Sequence, residues 1–366
     1  MPTPSPTLAA RRERYFDLSS RIAEIDSGRL ATLLGVAPEQ GWGATHTIRL
    51  GASKVFVKRV PVTVLEFENP FSTANLYGLP TFYNYGVGSA GFGAFREIVA
   101  NIKATNWTLA GAPVNVPLLY SYRIVPSTRP PQRINEERHG DYIRYWAGDA
   151  NIDRYIRARA SAEYEAILFL EHFPHVLDAW LMRHLDRFAE IVDALRPTLA
   201  FLREQGILHF DAHFANIVVD GGGIPYLTDF GLVLDRSFTL TTADKAFFRR
   251  HGDYDEAEFM LGIGAYLYPL YRNLAPRVSA ALQARYGIAE EMSYWDLVAL
   301  LVANVEEIRS RRWMRLPDRY VSEVVRYRDV ILTMLGFYAA LRSNDRKDTP
   351  YPERRLKALL QVPSAG

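Results

Sequence analysis

An α+β fold, with a small β-rich front and a larger, mostly helical back, is what this sequence predicts, and three observations carry it. Short β-like runs cluster between residues 41 and 60. A continuous apolar run at 166–170 reads as a buried strand and leads into Glu171-His172-Phe173-Pro174. Beyond 176 apolar residues recur at helical spacing, and that pattern dominates 245–360. A chain of 366 residues exceeds one ordinary domain, so a bilobal unit is expected. Its divisions fall at 1–40 (an N-terminal extension), 41–170 (the front, with an aromatic insert at 61–95) and 171–366 (the back).

Taken in order, residues 1–15 read as a Pro-rich tail and then helix, with no core of their own. The runs 45–50 and 54–60, joined by Gly51-Ala52-Ser53, predict a hairpin. The stretch 61–93 is rich in Gly, Asn and aromatics and is too long for a simple connection, so it is a lid, a substrate wall or a cover for the front. A helix is predicted over 95–109 and a strand over 117–125. Residues 127–139 read as an exposed loop, and 151–165 as a second polar insert. Helices follow at 176–184 and 188–205, with Gly206 at the expected helix end. Two short strands, 217–219 and 226–228, flank the turn Asp220-Gly221-Gly222-Gly223.

Composition narrows the function classes. Apolar residues make up 48% and charged residues 23%, which excludes disorder and coiled coil. A net charge of +2 argues against a nucleic-acid partner. The absence of cysteine excludes disulfides, thiolate metal sites and a cysteine nucleophile. No apolar stretch is long enough to span a membrane, and the N-terminus lacks the order of a signal peptide, so a cytoplasmic location is expected. Lysine is scarce: the six stand at 54, 58, 103, 245, 347 and 357.

The chemistry gathers in His209-Phe210-Asp211-Ala212-His213-Phe214-Ala215-Asn216, followed by Asp229-Phe230-Gly231. Asn216 and Asp229 offer hard oxygen ligands suited to Mg²⁺, which takes few protein ligands and leaves positions for phosphate. Asp211 would stand beside them, free to orient and deprotonate an attacking hydroxyl. His209 is economically read as a buried brace for this loop.

Asp211-x-x-x-x-Asn216 and Asp229-Phe230-Gly231 resemble the catalytic loop and metal motif of the protein-kinase-like superfamily, which includes aminoglycoside phosphotransferases and choline kinases. His-x-Asp-x-His-x-x-Asn looks like the aminoglycoside-phosphotransferase version, whereas Asp-Phe-Gly is the protein-kinase spelling. Val55-Phe56-Val57-Lys58 resembles the strand whose lysine holds the α- and β-phosphates, and Gly41-Trp42-Gly43 resembles a shortened glycine-rich loop. The resemblance implies a bilobal kinase-like fold, ATP and Mg²⁺ as cofactors, and a helix-borne glutamate paired to Lys58. Glu97 is the candidate, since Glu66 and Glu68 lie in the insert. Glu171 and Phe173 fall where the superfamily's hinge presents main-chain groups to adenine. The likeness covers roughly 40–235.

The acceptor is less defined. No Ala-Pro-Glu follows Asp-Phe-Gly, which favours a hydroxyl-bearing small molecule over a protein. A serine/threonine protein kinase and a pseudokinase scaffold without turnover remain alternatives. Asp253, Asp255, Glu256 and Glu258 read either as an acidic wall for a cationic acceptor or as a solvated helix start. Arg309, Arg311, Arg312 and Arg315 read as an exposed helical face.

Overall fold

In the computed structural model, which describes residues 5–35, 44–128 and 132–361, two helices come first, α1 (Leu8–Ala23) and α2 (Ser27–Leu34). Thr7 and Asp26 start them, each side chain accepting an amide of the first turn. The hairpin forms as β1 (Ala44–Leu50) and β2 (Ser53–Val62), turning at Gly51, whose φ is 61°. The insert contains a short α3 (Val64–Glu68), and the helix expected next is α4 (Ala94–Ala110). After β3 (Leu119–Pro126) come α5 (Glu136–Tyr145) and α6 (Ala150–Ala160), then β4 (Tyr164–Glu171). These strands make one antiparallel sheet in the order β1-β2-β4-β3.

Strand alternation decides what each face of this sheet carries. Val55, Val57, Ile167 and Phe169 point one way and bury Leu18, Ile22 and Leu30 of α1 and α2. Val60, Val62, Ala166 and Leu168 point the other way, against Phe95 and Ile98 of α4. Both faces are covered, which is why β4 reads as unbroken apolar sequence. Lys58 shares the parity of Val60 and Val62, so it emerges on the α4 side. Residues 5–15 form no core of their own, but α1 continues to Ala23 and joins the core of the sheet through Leu18 and Ile22, and Arg11 forms a buried ion pair with Glu171 at 2.6 Å.

The remainder is helical apart from short strands. It runs β5 (His175–Val176), α7 (Leu177–His184), α8 (Phe188–Glu204), β6 (Ile207–Leu208), β7 (Ile217–Val219), β8 (Pro225–Leu227) and β9 (Leu234–Asp235). Then follow α9 (Thr242–Arg250), α10 (Tyr254–Ala265), α11 (Leu267–Arg272), α12 (Pro276–Tyr286), α13 (Tyr294–Ala303), α14 (Val305–Ser310), α15 (Asp318–Arg326), α16 (Arg328–Ser343) and α17 (Glu353–Leu360). Their apolar stripes share the largest core, with α8, α10, α13 and α16 at its centre. Among the described residues no helix is long and apolar enough to cross a membrane.

One sequence expectation needs correction. The polar insert at 151–165 is largely helix α6, and α5 takes in only the end of the loop expected at 127–139. Apart from buried His139 and Arg159, the charged residues of α5 and α6 lie mostly outward and hide an apolar stripe of Trp146, Ile152, Tyr155 and Ile156. That stripe packs on Tyr77, Leu79, Tyr83 and Phe92, so the two unplaced inserts are each other's partners. The aromatic insert also reaches the helical region. Tyr85 donates to His251 Nε2 at 2.7 Å among Phe210, Phe247, Tyr254 and Phe337. His251 Nδ1 already donates to the Phe247 carbonyl, so a neutral ring accepts at Nε2; burial pushes its pKa down to about 3.

Candidate active site

Lys58 reaches Glu97 Oε1 and Asp229 Oδ1, each at 2.7 Å. Strand parity brings the lysine to α4, and Glu97 stands in the first turn of that helix, between Phe95 and Ile98 that anchor it to the sheet. Asp229 arrives from the end of β8 in a left-handed conformation (φ 66°), its Oδ1 also accepting the Gly231 N–H at 3.1 Å. Burial opposes the charge on Lys58, but the two carboxylates outweigh it and raise its pKa. Burial raises that of Glu97, while Lys58 and the Gly231 amide overcome burial and lower that of Asp229.

Facing this trio is the loop after β6. Asn216 Nδ2 donates to Asp211 Oδ2 at 2.7 Å and to the Asp211 carbonyl at 3.0 Å, and His213 Nε2 lies 3.3 Å from Asp211 Oδ1. Burial opposes protonation of His213, yet Asp211 prevails and pushes its pKa up to about 9. His209 braces the loop as expected: fully buried, it meets the Thr228 carbonyl at 3.0 Å through Nε2, tying the loop after β6 to the residue before Asp229.

The acidic cluster is neither a substrate wall nor a solvated helix start throughout. Asp255 is buried and accepts the N–H groups of His209 (2.7 Å) and Phe210 (2.9 Å). Glu258 is buried too and accepts from Ala212 N–H (2.8 Å) and Tyr338 O–H (2.8 Å). Burial, then the charge of Asp211, pushes Glu258 up to about 8. Only Asp253 and Glu256 behave as surface acids, pairing with Arg203 and Arg196. Helical spacing was the missed signal: 255 and 258 share one side of α10, with the apolar Phe259 and Met260 that line its core. The held loop includes Phe210 at φ 62°, a strained position immediately before Asp211.

A second feature escaped the sequence reading. Gly86-Val87-Gly88-Ser89-Ala90-Gly91-Phe92-Gly93 contains Gly-x-Gly-x-x-Gly and leads into α4. It packs against the site so closely that a Cβ on Gly86 would stand 2.1 Å from Asp211 Oδ1, and one on Gly91 2.6 Å from the Gly231 carbonyl. A cleft of about 260 Å³ opens between this loop, Lys58, Glu97, Asp211 and Asp229, with buried Arg159 of α6 in its wall.

The other expected residues divide. Gly41 and Gly43 lie outside the described residues. The Glu171 carboxylate is engaged by Arg11 and by the Leu118 N–H, and its own N–H donates to the Leu118 carbonyl. Phe173 stacks on Tyr226 at 4.1 Å between centroids. As a donor set for Mg²⁺, the Asp229 carboxylate and the Asn216 amide oxygen fit a metal that takes few protein ligands: the Asn216 amide nitrogen points to Asp211, leaving its oxygen as the ligand atom. No model of a known protein family matches this chain, and no curated protein matches it.

Proposed function

We propose that the protein is an ATP-dependent phosphotransferase with a bilobal, protein-kinase-like fold that transfers the γ-phosphoryl group to a hydroxyl of a small molecule. The observation that carries this reading is Lys58 held simultaneously by Glu97 and Asp229, beside an Asp211–Asn216 pair. Residues of three sequence motifs, Lys58, Asp211 and Asp229, line one cleft together with the glutamate expected to pair with Lys58. Phosphoryl transfer needs positioning and charge neutralisation more than covalent chemistry. Lys58 holds the α- and β-phosphates, and Glu97 orients Lys58. Asp229 and Asn216 would hold Mg²⁺, which would supply neutralising charge to the phosphates. Asp211 orients the acceptor hydroxyl and takes its proton as the new O–P bond forms, the bond to the β-phosphate oxygen breaks, and ADP departs. His213, protonated beside Asp211, turns the carboxylate.

The test is transfer from γ-labelled ATP with Mg²⁺ in a lysate of the source organism, comparing wild type with Asp211→Asn. Label in dialysable products that requires Asp211 is the expected result. Asp211-dependent label on macromolecules would instead make it a protein kinase, and no such label in either fraction would leave a scaffold without turnover.

A further inference from the structure

We infer that the Gly86–Gly93 loop is the part of this protein that grips the terminal phosphates of its phosphoryl donor; the inference rests on the phosphotransferase reading and locates the donor's polyphosphate within it. The β1–β2 turn is the tight Gly51-Ala52, whereas the loop at 86–93 stands in the cleft itself. Ser89, Ala90, Gly91 and Gly93 line it, so the loop meets the cleft with backbone and one hydroxyl. The Lys58 ammonium and the Arg159 guanidinium also line the cleft, two cations from elements far apart in sequence, beside the carboxylates of Glu97, Asp211 and Asp229. The Ala90 and Gly91 N–H groups are engaged by Tyr83 and Ser89, so a chain of phosphates would meet the backbone of Ser89 and Gly93 together with these two cations.

Glycine is required here for two separate reasons. Gly88, Gly91 and Gly93 have φ of 108°, 86° and 110°, a region side chains disfavour. Gly86 is required by its approach to Asp211. The N-terminus of α4 is not the anion site, because the Ala94 N–H donates to Glu66 Oε1 at 2.8 Å. Nor is this a dinucleotide-binding turn, since the loop follows a 3₁₀ turn at Thr81–Asn84 and not a strand. Its position is held from outside: Tyr85 is fastened to His251, and the Tyr83 hydroxyl accepts the Ala90 N–H at 3.0 Å. The loop thereby sits between the donor phosphates and Asp211, and contact with Gly231 couples it to the turn that carries Asp229.

The experiment titrates wild type, Gly88→Ala and Ser89→Ala with Mg²⁺·tripolyphosphate, Mg²⁺·ATP and AMP. A Cβ on Gly88 meets nothing within 4 Å, so this substitution acts through the backbone alone, and Ser89→Ala removes a hydroxyl that accepts the Gly91 N–H and meets the Tyr83 hydroxyl. The expected result is a tenfold or greater loss of tripolyphosphate and ATP affinity in Gly88→Ala and a smaller loss in Ser89→Ala, with AMP unchanged. Wild-type ATP binding with both variants within twofold would overturn the inference and leave the phosphotransferase reading intact. Loop-dependent binding of tripolyphosphate without ATP binding would sustain the inference and sink that reading. Binding of neither probe by wild type would overturn both.

Discussion

The two walls of the cleft are held by opposite means. On the wall of the catalytic loop, the groups proposed to act (Asp211, His213, Asn216) are positioned by others: buried carboxylates of α10 fix the backbone through the amides of residues 209, 210 and 212. On the opposite wall, Lys58, Glu97 and Asp229 hold one another, and the proposed ligand-binding groups are also the fastening. The first arrangement spends buried carboxyl groups on geometry, since a buried amide left unpaired is costly. The second leaves its charged groups lining the cleft, where the proposed polyphosphate and its metal would meet Lys58 and Asp229.

The largest effect should come from the first wall. Asp211→Asn is expected to lower turnover about 10²–10⁴-fold while nucleotide affinity survives, as single-turnover transfer and equilibrium titration would report. Undiminished transfer would remove Asp211 from its role. On the second wall, Asp229→Ala should abolish Mg²⁺-dependent nucleotide binding, and an unchanged Mg²⁺·ATP titration would break the assignment. Asp255→Ala tests the contrast directly. It leaves two buried amides unpaired, so urea unfolding should show a loss of about 3 kcal/mol, with Asp255→Asn losing less.

Glu97→Gln and Lys58→Met should be strongly non-additive in ATP affinity, with an interaction energy of about 0.5–3 kcal/mol in a double-mutant cycle. Additive behaviour would mean that the second wall is not a mutually held unit. The smallest effect is on pH dependence. His213 has its pKa raised from 6.5 to about 9, so its attraction to Asp211 is fully present below 6.5 and is lost as pH climbs through 9. Glu258, raised from 4.5 to about 8, adds a fall of the same sign as it ionises in its buried site. The thermal midpoint should therefore decline between pH 4.5 and about 9, and His213→Asn should flatten the part of that decline above 6.5. A slope identical to wild type would remove His213 from the account.

Legibility followed the range of the interaction. The hairpin, α4, β4 and α8 could be read directly because period two and period 3.6 are local consequences of burying one face. Lys58 and Glu97 could be paired in advance from the resemblance and from the order of elements, because Glu97 opens the first helix after the lysine strand; strand parity then delivers the lysine to that helix. By contrast, α5 and α6 were read as polar insert because their apolar residues have no partner until the aromatic insert packs on them. Asp255 and Glu258 look like surface acids for the same reason, since the amides that they satisfy lie about 45 residues earlier in the chain.

The sequence by itself determined the α+β element pattern, the strand that bears Lys58, and the order and spacing of Asp211, Asn216 and Asp229, each a matter of residue type and local period. Only the tertiary structure decided that α1 completes the core of the sheet, that the two inserts pair, and that the 86–93 glycines close on Asp211. Those outcomes depend on which distant surfaces bury one another and which buried amides find acceptors. Such choices are made by packing and by the cost of an unpaired polar group, and no short stretch of sequence contains both partners.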